Sequence, residues 1–525
     1  MIQVRSLRLD PGESEDKLRK KAARELHIHE NEISELTITK KSLDARKKND
    51  IHWLYSAAVK TRDEEKILAR SKSKNVCRYE HFEYTIPRIE AKERPVIAGF
   101  GPAGMFAALV LAKAGLRPIV LERGRDAESR RRVVEEFRSG GALDPECNVQ
   151  FGEGGAGTFS DGKLNTGIKD KRIRWMLEQF VRHGAPESIL YDAKPHIGTD
   201  ILINVVQNIR QTVISLGGEV RFGAKLTGLK ADKNTLCGIE VTEGDRVYTI
   251  DCSRLILAVG HSARDTFEML DSMGVPMEPK AFSMGVRIEH RQADIDKAQY
   301  GEGSDKLPPA DYSLNVHLPD GTSAYTFCMC PGGEVIAAAS ETGEICTNGM
   351  SLNARAGENA NSALLVTLHP EDFPYEGTLG GVRWQREIER RAFALSGDYR
   401  APAQTVGSFL KREKGAPSAK VTPSYRPGVY WCELHELLPE RITSVLEAAL
   451  PELGKKLCGF DDPEGVLTAP ETRSSSPVRI LRNERCTSEL RGLYPCGEGA
   501  GYAGGITSAA VDGMRCAEAL MESLE

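Results

Sequence analysis

The chain has 525 residues, a formal net charge of −5 and an apolar content of 40%. That length exceeds one ordinary domain and predicts two or three, while the charge gives no global electrostatic case for nucleic acid or membrane binding. The opening MIQVRSLRLDPGESEDKL lacks a signal-peptide core, and no uncharged apolar run approaches the roughly 18 residues that span a bilayer.

Residues 1–90 read as a small domain of their own. IQVRSLRL alternates as a strand, and Leu18, Ala22, Leu26 and Ile28 have helical spacing. ISELTITKKSLDARKKNDIHWLYSAAVKT reads as two strands around a basic hairpin tip, followed by the helix-like DEEKILARSK and the extended YEHFEYTIP. This β-α-β-β-α order predicts a ferredoxin-like domain. Lys40, Lys41, Arg46, Lys47 and Lys48 are expected to form a solvated tip, interrupted by Asp44 and Asp50, with a contact to RNA or another anion as the alternative. Pro87 to Pro95 is the expected linker.

The most informative stretch follows, PVIAGFGPAGMFAALVLAKAGLRPIVLERG from Pro95 to Gly124. An apolar strand turns through Gly99-Phe100-Gly101-Pro102-Ala103-Gly104 into a helix of small and apolar residues, and a second strand delivers Glu122. This is a G-x-G-x-x-G fingerprint in its strand-turn-helix-strand setting. Gly99 permits the tight turn, Gly101 lets the backbone approach a pyrophosphate, and Gly104 lets helix and strand pack closely. The helix N-terminus presents unpaired N–H groups to phosphates. Glu122 can accept hydrogen bonds from ribose hydroxyls and repels a 2′-phosphate, so a dinucleotide with an unphosphorylated ribose, FAD or NAD, is expected.

Beyond a charged helical stretch, Asp126 to Arg138, comes a second glycine-rich loop, Gly152 to Gly167, too rich in small residues for a helix or strand. It suits close approach to a flat ring and a sugar chain, with Ser160, Asp161 and Lys163 supplying polar groups. DILINVVQNIRQTVISL predicts a helix, and three strands follow in GEVRFGAKLTGLKAD, TLCGIEVTE and RVYTIDCSRLILAVG. The last should return to a doubly wound sheet with Gly260 facing the dinucleotide. His261 is read as a polar rim residue, because no partner acid can be assigned.

Between Met273 and Glu464 no second dinucleotide fingerprint occurs. Strand-like AFSMGVRIEH, SAYTFCMCPGG and EVIAAASE and helix-like QREIERRAFAL and ITSVLEAALPELGKKL predict an inserted α+β cap or substrate domain. The 12 cysteines show no C-x-x-C spacing, which indicates neither a zinc site nor a disulfide framework and predicts reduced thiols in cytoplasm. Cys328 and Cys330, on a predicted strand, should share a face. A C-x-C disulfide there is strained, so buried free thiols are expected and a redox pair is the alternative.

The tail GLYPCGEGAGYAGGITSAAVDGMRCAEALMESL predicts a short strand reaching Gly497-Glu498, a glycine loop and a helix beginning near Gly505. Glu498 can take ribityl hydroxyls, and the helix N-terminus can stabilise negative charge on a reduced flavin. A bound flavin needs such an ending and NAD enzymes do not, which selects FAD. Arg473, Arg479 and Arg482 crowd the return from the cap, predicting an anionic or strongly polar substrate, with pairing to protein carboxylates or to the FAD itself as the alternative.

Together VIAGFGPAG, VLERG, NVQFGEGGAGTFSDGKL, LILAVGHSARD and YPCGEGAGYAGGITSAAVDG resemble the bacterial FAD-dependent dehydrogenase-like proteins, a poorly characterised "NAD(FAD)-utilising dehydrogenase" family of the glutathione-reductase-like flavoproteins. FCMCPGG, NGMS and ETRSSSPVRI also resemble segments of that family. The resemblance implies an α/β chain with FAD in a Rossmann-like domain split in sequence, residues 91–272 and 465–525, an inserted cap at 273–464 and an N-terminal α/β appendage at 1–90. The chain lacks the C-x₄-C disulfide and second nucleotide domain of the disulfide reductases. Residues expected to hold FAD are Gly99, Gly101, Pro102, Ala103, Gly104, Glu122, Arg123 and Gly124 in the first unit. The glycine-rich loop adds Gly154, Gly155, Thr158, Ser160, Asp161, Lys163 and Leu164, and the later segments add Gly260, Gly497, Glu498, Gly504, Gly505 and Ile506. Lys163, Arg473 and Cys330 are the catalytic candidates, and no metal is expected. Two functions of different class follow. One is an FAD-dependent oxidoreductase acting on a small polar or anionic molecule. The other is an RNA-binding or scaffold protein with a structural FAD, or a flavin-dependent RNA-modifying enzyme.

Overall fold

The computed structural model describes residues 1–302 and 306–524. At its centre lies a five-stranded, wholly parallel sheet. Its order is Leu493–Pro495, Leu255–Leu257, Val96–Ala98, Ile119–Glu122 and Glu219–Phe222. The three strands from Val96, Ile119 and Leu255 are buried and apolar, as a sheet covered on both faces requires. One face carries the helices Pro102–Lys113, Thr199–Ser215 and Ile506–Glu522, sharing a core that includes Phe106, Val205, Ile209 and Met514. The other is covered by an antiparallel meander, Ala224–Asp232, Thr235–Glu243 and Arg246–Asp251.

The meander corrects the expectation of three strands after residue 218. Gly223, at φ +66°, breaks the first segment in two, so Glu219–Phe222 joins the parallel sheet and Ala224–Asp232 leaves it. Cys252 to Arg254 likewise separate Arg246–Asp251 from the parallel strand Leu255–Leu257. A left-handed glycine reverses direction at little steric cost, whereas continuous strand patterning conceals the break.

A seven-stranded sheet forms the second large unit. Its order is Asn315–His317, Ser323–Cys330, Asn359–Leu368, Phe282–Arg291, Val466–Glu471, Ala401–Thr405 and Val429–Trp431. Only the last pair is parallel. The helices Gly380–Ser396 and Glu440–Lys456 complete its core with Trp384, Ile388, Leu446 and Leu450. Val466–Glu471 is an interior strand here, although a boundary at residue 464 assigned it to the dinucleotide unit. The chain regains the parallel sheet only at Leu493.

Residues 2–78 form a four-stranded antiparallel sheet ordered Ile33–Asp44, His52–Thr61, Ile2–Leu9 and Val76–Arg78, with helices Lys17–Leu26 and Glu64–Arg70. The basic cluster is less free than its sequence implies. Lys40 and Lys41 lie within a strand, Lys41 Nζ is 2.9 Å from Glu15, and Arg46 chelates Asp44. Leu43, Ala45 and Ile51 pack against the core of the seven-stranded sheet. Backbone bonds from Lys41 to Tyr191 and from Ala193 to Lys41 anchor the strand to the central unit. No helix among the described residues is long and apolar enough to cross a membrane.

Candidate functional site

A cavity of about 380 Å³ opens at the carboxyl ends of the parallel strands, where open α/β sheets bind ligands. Its floor is the fingerprint turn. Gly99 has φ +97°, and a Cβ there would come within 2.5 Å of Ala258 O. A Cβ on Gly104 would stand 1.9 Å from Gly99 O, so strand and helix touch through backbone alone. Gly101, Pro102 and Ala103 line the cavity at the N-terminus of the helix Pro102–Lys113, with Gly101 as its cap. A Cβ on Gly101 meets only Gly155 Cα at 3.7 Å, which leaves the space in front of the helix end clear.

Glu122 is buried, and its carboxylate accepts backbone N–H groups from Phe100, Gly124 and Gly152, each at 2.9 Å. It therefore joins the fingerprint turn to the glycine-rich loop while lining the cavity. Arg123 lines the same end, but its guanidinium is committed: it lies 4.0 Å over the Phe151 ring and pairs with Glu146 at 2.7 Å and Asp265 at 2.9 Å. Lys225 bridges the same two carboxylates at 2.9 Å each. This four-charge cluster was not legible in the sequence.

The glycine-rich loop is held from behind by Arg130. This guanidinium is fully buried and donates to the carbonyls of Asn148, Val149, Gly152, Glu153 and Gly155 at 2.8–3.3 Å. Burial pushes its pKa down to about 10, against the pull of Glu122 and Glu153, so it stays charged at neutral pH. Gly152, Gly154 and Gly155 all have positive φ, and the carbonyls of Gly152 and Gly155 are among those Arg130 binds. Arg130 escaped the sequence reading because its partners are backbone atoms, which leave no side-chain pattern.

The structure divides the predicted loop residues. Gly155, Ser160, Asp161 and Lys163 line the cavity. Gly154 and Thr158 sit behind the wall, Gly154 N bonding to Phe100 O and Thr158 Oγ1 to Glu153 O. Leu164 is also behind it, its carbonyl accepting Thr507 Oγ1 at 2.8 Å. Asp161 departs from its expected role: it is fully buried and pairs with Arg355, Nε to Oδ1 being 3.0 Å. Lys163 Nζ lies 3.4 Å from the same carboxylate and is buried without a hydrogen-bond partner among the described residues.

From the later segments, Gly260, Glu498, Gly504, Gly505 and Ile506 line the cavity. Gly497 does not. With φ +77°, its N–H is fixed by Asp512 at 2.7 Å and a Cβ there would press on Ala103. Gly104 and Gly124 are likewise packing positions, a Cβ on Gly124 falling 2.5 Å from Gly152 Cα. His261, read as a rim residue for want of a partner, has one: its Nδ1 is 2.9 Å from Glu498 Oε1, while Nε2 is buried and has no hydrogen-bond partner among the described residues.

Two catalytic candidates change. Arg473 is buried, with Nε and Nη2 on Glu389 at 2.9 and 2.5 Å and Nη1 on Ser340. Arg264 grips the same carboxylate at 2.8 and 2.9 Å. Although burial pushes the Glu389 carboxyl up, the two guanidinium groups hold it well below the usual range. Arg473 still lines the cavity, Arg479 pairs with Glu278 and Arg482 with Asp512, so all three arginines read as an anion site are engaged by protein carboxylates. Cys330 is fully buried off the cavity, and Cys328 takes its place on the wall beside Phe327, Asn348, Glu471 and Ser474.

The cavity thus has a wall from the parallel-sheet unit and a wall from the seven-stranded sheet. A glycine cradle, two helix N-termini aimed at one space, and two buried nitrogens, His261 Nε2 and Lys163 Nζ, without a hydrogen bond among the described residues fit a phosphate-bearing dinucleotide. Residues 281–474 match the family described as "FAD-dependent protein, C-terminal domain-like", which is the span of the seven-stranded sheet. Residues 1–60 match a domain of unknown function. An uncharacterized protein of Clostridium beijerinckii is 46% identical over 100% of this chain and 99% of its own length. Among solved structures, the flavin-dependent brominase Bmp2 is 14% identical over 82% of this chain and 79% of its own, at a TM-score of 0.38. Glycerol-3-phosphate dehydrogenase from Bacillus halodurans, complexed with FAD, is 12% identical over 83% and 65%, also at 0.38. These two likenesses are too remote to transfer activity. The chain belongs to one family with the Clostridium protein, and it is a flavoprotein whose cofactor is FAD.

Proposed function

We propose that the protein is an FAD-dependent oxidoreductase of the dehydrogenase-like kind, acting on a small polar molecule. The observation that carries this reading is the two-walled cavity. A flavin kept only for structure needs no second wall, whereas a substrate must lie between the flavin and groups that orient it. When bound, the flavin supplies hydride or single-electron transfer. The fingerprint turn, Glu122 and Gly260 would hold the adenosine and pyrophosphate end. Gly155 to Lys163 and Gly504 to Ile506 would hold the ring end, where the helix Ile506–Glu522 directs its positive terminus at the site.

Phe327, Cys328, Asn348 and Ser474 then face the substrate, and from the glycine-rich loop opposite them Lys163 brings an ammonium without a hydrogen-bond partner among the described residues. The alternatives, an RNA-binding or scaffold protein or a flavin-dependent RNA-modifying enzyme, gain little from the basic hairpin. Lys41 and Arg46 are paired with acids, and the apolar residues flanking the tip pack on the seven-stranded unit. Anaerobic mixing of the yellow holoprotein with a metabolite panel, read by flavin absorbance, tests the proposal. Bleaching by one class of small molecule is expected. Bleaching by none, with tight binding of RNA, would favour the alternative.

A further inference from the structure

The cap strand Ser323–Cys330 does not reach the cavity as a regular strand. Its pairing with Asn359–Leu368 slips between Phe327 and Cys330, and Cys328 adopts a left-handed backbone at φ +45°. A residue other than glycine adopts this conformation against a steric penalty, and such outliers concentrate where function demands them. The expected sharing of a face therefore fails. Cys328 comes to the cavity wall while Cys330 stays buried behind it, its Sγ 3.3 Å from Cys328 O. The kink also takes the pair out of the extended geometry that strains a C-x-C disulfide. Both thiols are free.

The surroundings favour a thiolate at Cys328. A hydrogen bond from the Cys330 thiol is the main cause. Lys163 and Arg287 add to it against burial and Asp161, so that Cys328 is lowered to about 5 while Cys330 is pushed up. Arg287 is fixed, donating to Cys328 O at 2.9 Å and paired with Glu471 at 2.7 and 2.8 Å. Lys163 comes from the glycine-rich loop, so the thiols meet the loop expected to hold the flavin ring. None of the other cysteines lines this cavity.

We propose that Cys328 and Cys330 are a redox dithiol whose Cys328 faces the flavin, and that the cavity accepts a low-molecular-weight thiol as substrate. The inference rests on the oxidoreductase reading above. In the protein step the Cys328 thiolate and the Cys330 thiol form one S–S bond as the single S–H bond, that of Cys330, is lost. The two electrons and that one proton would pass to the oxidised flavin. In the substrate step an incoming thiolate attacks the Cys328 sulfur and releases Cys330 as a thiol. A second substrate thiolate then attacks the mixed disulfide at the substrate sulfur, which frees Cys328 and yields the substrate disulfide. Electrons thus pass from thiol to flavin with no co-reactant beyond the resident cofactor.

Anaerobic dithionite titration of the holoprotein tests the first step. The parent should take up twice the reducing equivalents of Cys330→Ser holoprotein, and dithiothreitol should bleach the flavin of the parent but not of Cys328→Ser. Disulfide mapping by mass spectrometry on the air-oxidised parent needs no variant and should find Cys328 joined to Cys330. An FAD-loaded parent in which both thiols remain alkylatable, with uptake equal to the variant's, would overturn the dithiol while leaving the oxidoreductase reading intact. A purified parent without FAD would instead strike at that reading itself.

Discussion

Arg355 and Asp161, 194 positions apart, meet at the junction of the two walls, Nε 3.0 Å from Oδ1, with Asp161 wholly buried. The pair joins the glycine-rich loop to the seven-stranded unit directly beside Lys163 and the thiols. Its removal should therefore be felt both in stability and at the ring end of the site. Arg355→Ala leaves a buried carboxylate with Lys163 alone for company, a kind of change that costs about 3–5 kcal/mol. A lowered melting temperature together with faster loss of FAD on dilution is expected. Unchanged melting would mean the loop does not depend on this tie.

Arg130 offers a sharper test of loop support. Its planar fork reaches five carbonyls in different directions, one each from Nε and Nη2 and three shared by Nη1, whereas a lysine ammonium has three donors at one point. Arg130→Lys keeps the charge and should still release FAD, because at least two carbonyls lose their partners, at about 1–3 kcal/mol each. Flavin content of the purified variant, measured against its circular dichroism, separates loss of the loop from loss of the fold.

Gly101 and Gly104 should respond oppositely to a methyl group. Gly104→Ala forces a Cβ to 1.9 Å from Gly99 O and should destabilise the apoprotein as well as abolish FAD binding. Gly101→Ala meets nothing nearer than 3.7 Å within the protein. Its apoprotein should melt like the parent's, while reconstitution with FAD is weakened. Equal melting of both variants would show that helix and strand can part at Gly104.

These contrasts show what kind of information the sequence carries. Gly99 and Gly104 announce themselves because the backbone conformation they permit is local, and the helix and strand around them are short-range consequences of patterning. Arg355 with Asp161 and His261 with Glu498 do not, since each pair spans much of the chain and no spacing rule connects its members. The arginines near residue 480 left two readings open for a related reason. A run of cations looks like an anion site until the carboxylates that neutralise it, Glu278, Glu389 and Asp512, are brought beside it by folding. Arg473→Ala is accordingly expected to cost stability, about 3–5 kcal/mol for a broken buried pair, with any effect on the Michaelis constant secondary. A variant that melts like the parent but binds substrate poorly would show that Arg473, which lines the cavity, acts on substrate directly.

The acidity of Cys328 gives the last test, and its sign is definite. A thiol lowered to about 5 is a thiolate above that pH, so its alkylation should be nearly independent of pH from about 6 to 8 and fall only near and below about 5. An ordinary thiol, with a pKa near 8.5, reacts about tenfold faster for each unit of pH over the same interval. The groups that set this behaviour are Cys330, Lys163, Arg287 and Asp161. Lys163→Met removes one cation and should move the inflection upward. Cys330→Ser keeps a hydroxyl donor and should move it less than Cys330→Ala. The experiment follows iodoacetamide labelling of the peptide containing Cys328 in apoprotein, where the cavity is open, against a cysteine peptide in the same tube. Bound FAD should slow labelling by covering the sulfur. A Cys328 rate that climbs with pH in parallel with the free peptide would show an ordinary thiol, and the cluster of Lys163 and Arg287 would then have to be explained by structure alone.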